Sequence, residues 1–308
     1  VGHRQVLVRV PGKVNLQLSV GPRLKDGYHD IATVFQAVSL FDDVKISFAD
    51  SDEEENRFRV LVKSELSGNV PTDRSNLAIA AAELIYKEFD LSGSIDIEIT
   101  KNIPIAGGMA GGSANAAGVI VALDHLFSLG LSRDEMMELG SKLGSDVPFA
   151  ISGGTALGSG RGDRITPALA RGHYFWVFAL SSNGLSTPAV YNECDRLREG
   201  LEISQPVINE QLMQALGSGD AKALGKALTN DLQMAACSIR PALRLVLDVG
   251  MDYGALGGIV SGSGPTVAFL AENEEHSLDL TVALTSSGVV GNVVRAHAPV
   301  VGASIIDR

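Results

Sequence analysis

Four glycines, Gly107, Gly108, Gly111 and Gly112, fall within six positions of the run Pro104-Ile105-Ala106-Gly107-Gly108-Met109-Ala110-Gly111-Gly112-Ser113-Ala114. The alternating apolar residues Ile95, Ile97 and Ile99 precede this loop, and an Ala-rich apolar segment follows it to about Leu129. The hydrophobic period thus passes from that of a strand to that of a buried helix. Strand, glycine loop and helix in this order can cradle a phosphate. Glycine lets a ligand approach the main chain with no Cβ in the way, and the first helical turn offers unpaired N–H groups at the positive end of its dipole. A tight turn with close helix–strand packing accounts for a lone glycine loop equally well. No Gly-x-x-x-x-Gly-Lys-Ser/Thr and no Gly-x-Gly-x-x-Gly occurs in the chain, which excludes a Walker loop and a dinucleotide fingerprint.

Other residues carry chemistry of their own. Lys13 and Asn15 are two apart, so on a strand they share a side while Val14 and Leu16 face the core; a lone lysine is more often solvated. In Lys25-Asp26-Gly27-Tyr28-His29 a turn precedes a ring that can stack on a flat base and an imidazole with one donor and one acceptor. A packed tyrosine beside an exposed histidine is the commoner fate of such a pair. Asp146, in Gly144-Ser145-Asp146-Val147-Pro148, can accept a proton or cap the next short helix. Asn76, in Ser75-Asn76-Leu77, suits a helix cap. Ser261-Gly262-Ser263-Gly264-Pro265 joins two apolar runs, as a hairpin would. The acidic cluster of Asp50 and Asp52 to Glu55 reads as a solvated loop, since nothing spaces its carboxylates around an ion.

Several elements must position these groups. Val6 to Val10 and Val14 to Val20 read as two strand segments separated by a bend at Pro11-Gly12. Thr33 to Leu40, Val44 to Phe48 and Phe58 to Val62 read as further strands, and Asp73 to Phe89 as a helix with Leu77, Ala81, Leu84 and Ile85 on one face. Ser132-Arg133-Asp134-Glu135 is a capping box opening a helix to about Leu143. A glycine-rich stretch from Gly153, Gly-Gly-Thr-Ala-Leu-Gly-Ser-Gly-Arg-Gly-Asp, places a boundary near 155 to 165. The expected division is 1–160, with the glycine loop, Lys13 and Asp146, and 161–308. The second part reads as a strand at Tyr174 to Leu180, helices near Pro188 to Arg198, Val207 to Leu216, Asp220 to Leu228 and Pro241 to Val249, and more strand.

The chain of 308 residues is long enough for two cores, and 45% hydrophobic with 20% charged residues is the composition of a globular protein. A net charge of −11 argues against nonspecific nucleic-acid binding, which needs a basic footprint. No apolar run reaches membrane-spanning length. The start lacks the apolar core of a signal peptide, so a cytoplasmic location is expected. Cys194 and Cys237 match no metal or redox spacing and are expected to be packing residues.

Taken together, the glycine run followed by Ser113-Ala114-Asn115-Ala116-Ala117, the Gly12-Lys13-Val14-Asn15 segment and Ser261-Gly262-Ser263-Gly264-Pro265 resemble the three motifs of the GHMP kinases, in the same order along nearly the whole chain. Asp26-Gly27-Tyr28-His29 resembles the cytidine-binding segment of the branch whose acceptor is a cytidine-diphosphate-linked methylerythritol. The resemblance implies an α+β fold in two parts, an N-terminal domain like the second domain of ribosomal protein S5 and a ferredoxin-like C-terminal domain, with ATP in the cleft between. It implies that the residues 104 to 114 hold ATP, that Asn76 contacts adenine, that Asp146 is the general base and that Lys13 is catalytic beside it. On the acceptor side it implies roles for Asn15, Tyr28, His29, Thr187 and Tyr191, the last standing where the family carries phenylalanine. One departure bears on the metal. Gly111-Gly112 replaces a Ser-Ser pair common in the family, one serine of which touches Mg²⁺, and Ala114 replaces a further serine. Mg²⁺ is therefore expected on the ATP phosphates and water, with no protein ligand named. Homoserine or mevalonate kinase activity is the nearest alternative, and a noncatalytic nucleotide-binding regulator is a more distant one; the presence of both Lys13 and Asp146 argues against the regulator.

Overall fold

The computed structural model describes residues 5–49, 57–64, 70–105, 107–181 and 183–306. The acidic cluster from Asp50 to Glu55, and Ala106 of the glycine loop, lie outside them. The first half comprises β1 (Gln5–Arg23), β2 (His29–Phe48), β3 (Phe58–Ser64), α1 (Leu77–Glu88), β4 (Ile95–Lys101), α2 (Gly111–Phe127), α3 (Arg133–Ser141), α4 (Val147–Ser152), β5 (Thr155–Ser159) and β6 (Arg164–Pro167). There follow β7 (Tyr174–Leu180), α5 (Thr187–Leu197), α6 (Glu210–Ser218), α7 (Ala221–Ala227), β8 (Thr229–Asn230), α8 (Gln233–Ile239) and α9 (Ala242–Asp252). The chain ends with β9 (Gly257–Val260), β10 (Val267–Ala271), α10 (Glu274–Ser286), β11 (Asn292–Ala298) and β12 (Ser304–Ile305).

Two sheets organise these elements. In the first the order is β12-β1-β2-β4-β3, with β5 joining β2 to β6 and β8 alongside β1. The second is antiparallel, in the order β11-β7-β10-β9. Helices fill the intervals from β7 to β9 and from β10 to β11, so this half has the ferredoxin-like arrangement. One apolar cluster runs through both halves, taking in Val8, Ile97 and Ala117 as well as Trp176 and Phe178. Trp176 Nε1 donates to Gln36 Oε1 at 3.1 Å across that junction. Among the described residues no helix is long and apolar enough to cross a membrane.

The expected bend at Pro11-Gly12 does not divide the first strand. The register jumps there, from Pro11 opposite Phe41 to Gly12 opposite Val38, so the partner strand bulges and the proline's missing N–H leaves no gap in the ladder. That bulge also joins the two segments expected within 33–48 into β2. A second irregularity, between Asn15 and Gln17, lies beside Lys13 and Asn15.

Helix starts shift for local reasons. The helix expected from Asp73 begins at Leu77, because the Asp73 carboxylate accepts from the Ser75 N–H and hydroxyl and Asn76 takes the cap. The helix expected from Val207 begins at Glu210, after the cap residue Asn209, while the Val207 carbonyl accepts from Gln17. Helices α8 and α10 escape a reading by period. In α10 only Ser277, Leu280 and Leu284 are buried, too few for a legible apolar stripe.

Candidate active site

The glycine loop connects the end of β4 to α2, and its conformation depends on contacts far along the chain. Gly108 has φ +77°, and a Cβ there would stand 2.1 Å from the Ser261 carbonyl oxygen. Ser261 Oγ donates to the Gly108 carbonyl at 3.1 Å, and the Thr266 N–H donates to the Gly107 carbonyl at 3.3 Å. The Ser261–Pro265 loop, between β9 and β10, thus packs directly on the phosphate-loop candidate. Gly108→Ala combines left-handed backbone with a clash against main chain. It is expected to lower the unfolding free energy by about 2 kcal/mol, measurable by denaturant titration; unchanged stability would mean that the two loops are not in contact.

Ala110 lies in the left-handed region at φ 60° and caps α2 with no side-chain hydrogen bond. The first N–H groups of this 17-residue helix are therefore left without a side-chain cap, at the cavity mouth. Pro104, Gly107, Gly108, Ala110, Gly111, Gly112 and Ser113 line that cavity, of about 400 Å³. Met109 and Ala114 do not; their side chains are in the core. Met109 turns its carbonyl toward the Lys13 N–H at 3.3 Å. Ile105 is described but does not line the cavity.

Beneath the loop lies a polar cluster that sequence reasoning missed. Asp42, Lys101 and Asn115 are all buried. Asp42 accepts from the main-chain N–H groups of Asn102 and Ile103 at 2.7 and 2.9 Å, from Asn115 Nδ2 at 2.8 Å and from Lys101 Nζ. Lys101 also donates to Asn115 at 3.0 Å. The end of β4 is thereby tied to the first turns of α2, on either side of the glycines. The flanking position of Lys101 and Asn115 was the only sequence signal.

Lys13 and Asp146 meet at the same cavity, 3.9 Å apart. Lys13 is buried, donates to Asn15 Oδ1 at 2.5 Å and stands 5.8 Å from the Phe35 ring centroid. Asn15 in turn donates to Thr33 Oγ1 at 2.9 Å, which fixes its amide with the oxygen toward Lys13. Burial pushes the Lys13 ammonium below its ordinary pKa, and Asp146 opposes that shift. Asp146 occupies the cap position of α4 yet makes no capping hydrogen bond, and its side chain is 30% exposed. Its carboxylate is free for other work. Asn76 differs: it accepts from the Ala78 N–H at 2.9 Å and donates to the Pro71 carbonyl at 2.6 Å, and it does not line the cavity, although its neighbour Leu77 does. Both ends of the Asn76 amide thus serve the start of α1.

A second cavity, of about 820 Å³, contains Tyr28 and His29 and shares Thr187 and Tyr191 with the first. Tyr28 is 56% exposed. His29 is buried, accompanied by the Tyr191 ring at 5.3 Å, and its Nε2 lies 2.8 Å from Asp195 Oδ1. Tyr191 is pushed up to about 12, chiefly by burial and then by the nearby Asp146 charge. Thr187 and Ser263 hydroxyls are 2.8 Å apart, joining α5 to the Ser261–Pro265 loop. Ser145, Arg161, Asp195 and Ser263 are further residues of these cavities or of their support that sequence reasoning missed. Among the described residues, no group of three or more histidine, cysteine or acidic side chains could hold a metal ion. Cys194 and Cys237 are buried free thiols, their pKa raised by burial, in keeping with a packing role.

Comparison with known proteins places this architecture. Residues 76–154 match the GHMP kinases N terminal domain and residues 212–289 the GHMP kinases C terminal domain. The chain belongs to the GHMP kinase family, whose members use ATP as a substrate. Within that family it is 50% identical over 302 residues to the 4-diphosphocytidyl-2-C-methyl-D-erythritol kinase of Nocardia farcinica, covering 98% of this chain and 96% of the relative. The protein of the same name from Streptomyces coelicolor is 47% identical, with coverage of 98% and 99%. A crystal structure of 4-(cytidine 5'-diphospho)-2C-methyl-D-erythritol kinase superposes with a TM-score of 0.77 at 30% identity, over 95% of this chain and 99% of the other. Homoserine kinase from Cytophaga hutchinsonii, at a TM-score of 0.74 and 17% identity over 99% and 98% of the two chains, shares the fold.

Proposed function

We propose that the chain transfers the γ-phosphoryl group of ATP to the 2-hydroxyl of 4-diphosphocytidyl-2-C-methyl-D-erythritol, giving the 2-phosphate and ADP, in the non-mevalonate route to isoprenoid precursors. The observation that carries this reading is the junction of two cavities. One brings the glycine loop, Lys13 and Asp146 together, and the other, opening beside it, contains Tyr28 and His29. Homoserine and mevalonate present no base for such a second chamber. A coupled assay offering each acceptor in turn tests the proposal, and turnover only with homoserine or mevalonate would reject it.

In this reading the main-chain N–H groups of the loop and of the first turn of α2 hold the ATP phosphates. The acceptor oxygen attacks the γ-phosphorus in line while the bond to the β–γ bridging oxygen breaks. The hydroxyl proton passes to the Asp146 carboxylate, and the Lys13 ammonium, held in place by Asn15, stabilises charge on the transferring group. Mg²⁺ would enter on the nucleotide phosphates and neutralise part of their charge. Thr187 and Tyr191, in the wall shared by the cavities, would place the methylerythritol portion.

Asp195 gives His29 a defined role. A carboxylate accepts only, so His29 Nε2 carries a proton, and with the ring neutral Nδ1 is the acceptor. An acceptor suits the exocyclic amine of cytosine but not the carbonyl that uracil has at that position. Asp195→Asn can donate to Nε2 and permit the opposite tautomer. The kcat/KM preference for the cytidine- over the uridine-diphosphate-linked acceptor is expected to narrow about tenfold, the scale of one hydrogen bond. An unchanged preference would assign base selection to other groups.

A further inference from the structure

The wall between the two cavities contains Ile31, Ser145, Arg161, Thr187 and Tyr191, and of these only Arg161 carries a positive charge. Arg161 sits in the turn between β5 and β6, flanked by Gly160 at φ +67° and Gly162 at φ +94°. Its guanidinium lies 3.9 Å from the Tyr28 ring centroid and donates to Asp26 Oδ2 at 2.8 Å. Arg161 and Asp26 side chains are 52% and 50% exposed, and an ion pair so open to water holds its partners weakly. The other cations nearby are differently placed. Lys13 is buried against Asn15 and Asp146 and lines only the first cavity, while Arg23, 3.6 Å from Asp195, and Lys142 line only the second.

We propose that Arg161 binds the diphosphate of the acceptor, exchanging Asp26 for the two phosphates as the acceptor enters. The inference rests on the function proposed above. An acceptor with its base at Tyr28 and its hydroxyl at Asp146 must carry its diphosphate past the shared wall, where Arg161 stands. The planar guanidinium fork matches phosphate oxygens bidentately, which a lysine in its place would not. Asp26 and the Tyr28 ring hold the side chain at the shared wall, and the Asp26 carboxylate is itself anchored by the Tyr28 N–H at 3.0 Å. Arg161 is thus an acceptor-binding residue, with no part in the proton transfer.

The test is calorimetric binding of cytidine, CMP and CDP to the full chain and to Arg161→Gln, Arg161→Lys and Asp26→Asn, with steady-state kinetics on each. The wild type is expected to bind CDP more tightly than cytidine. In Arg161→Gln that preference should shrink about tenfold or more, the scale of a lost charge-assisted pair, while cytidine affinity and the KM for ATP stay unchanged. Arg161→Lys should fall between the two, and Asp26→Asn should keep or strengthen CDP binding. A CDP-to-cytidine ratio preserved in Arg161→Gln would overturn the inference while leaving the proposed function standing. Failure of the wild type to bind any of the three ligands would overturn the function, and the inference with it.

Discussion

Asp146→Asn is expected to lower kcat by about two orders of magnitude or more, the scale of a lost general base, while the fold is retained. The geometry makes this substitution a clean one. Asp146 makes no capping hydrogen bond to α4, so the amide removes no bond that holds the helix. The isosteric side chain also leaves the cavity's shape intact and keeps an oxygen near Lys13, 3.9 Å away in the wild type. What it removes is the ability to accept the hydroxyl proton. Single-turnover rates with ATP and acceptor, read beside a denaturation curve, separate chemistry from folding. Near-wild-type turnover in a well-folded variant would place the base elsewhere.

Lys13→Met should reduce kcat by a similar factor, about a hundredfold, because a buried cation aimed at developing phosphoryl charge acts where water cannot replace it. It should also change how stability depends on pH. Burial holds the Lys13 pKa in the folded chain below 10.5, its ordinary value. Between that lowered pKa and 10.5 the unfolded chain binds the proton and the folded chain does not, so this group makes stability rise with pH across the window. Methionine removes that rise. Activity of the wild type should move the opposite way, falling as pH climbs through the lowered pKa and the ammonium is lost. Denaturant titrations of both proteins through the alkaline range test the first statement, and parallel stability curves would show that Lys13 does not titrate in the folded chain as its burial requires.

The glycine run, the strand before it and the helix after it were legible because each is local: period, composition and chain order carry them. The buried face of α1 was legible in part, through Ala81 and Ile85, and the capping box at Ser132 was legible for the same reason, appearing with both reciprocal bonds. Strand continuity was not. Pro11-Gly12 reads as a break, and only the bulge in the opposing strand reconciles a proline with an unbroken β1. Asn76 and Asp146 look alike in sequence, each a polar residue before a short apolar stretch. In the folded chain one is taken up by its helix cap and the other is left unbonded beside Lys13.

The sequence by itself determined the succession of strand, glycine loop and helix, hence the phosphate-loop candidate, and the residue types available for proton transfer, since these depend on neighbours within a few positions. The tertiary structure alone decided which of them meet. Lys13 faces Asp146, Ser261 braces Gly108, Asp195 orients His29, and Asp42 ties Lys101 to Asn115 beneath the loop. Each of these pairs joins separate elements, and a distance of a few ångströms between them is set by sheet register and core packing, which no local pattern encodes.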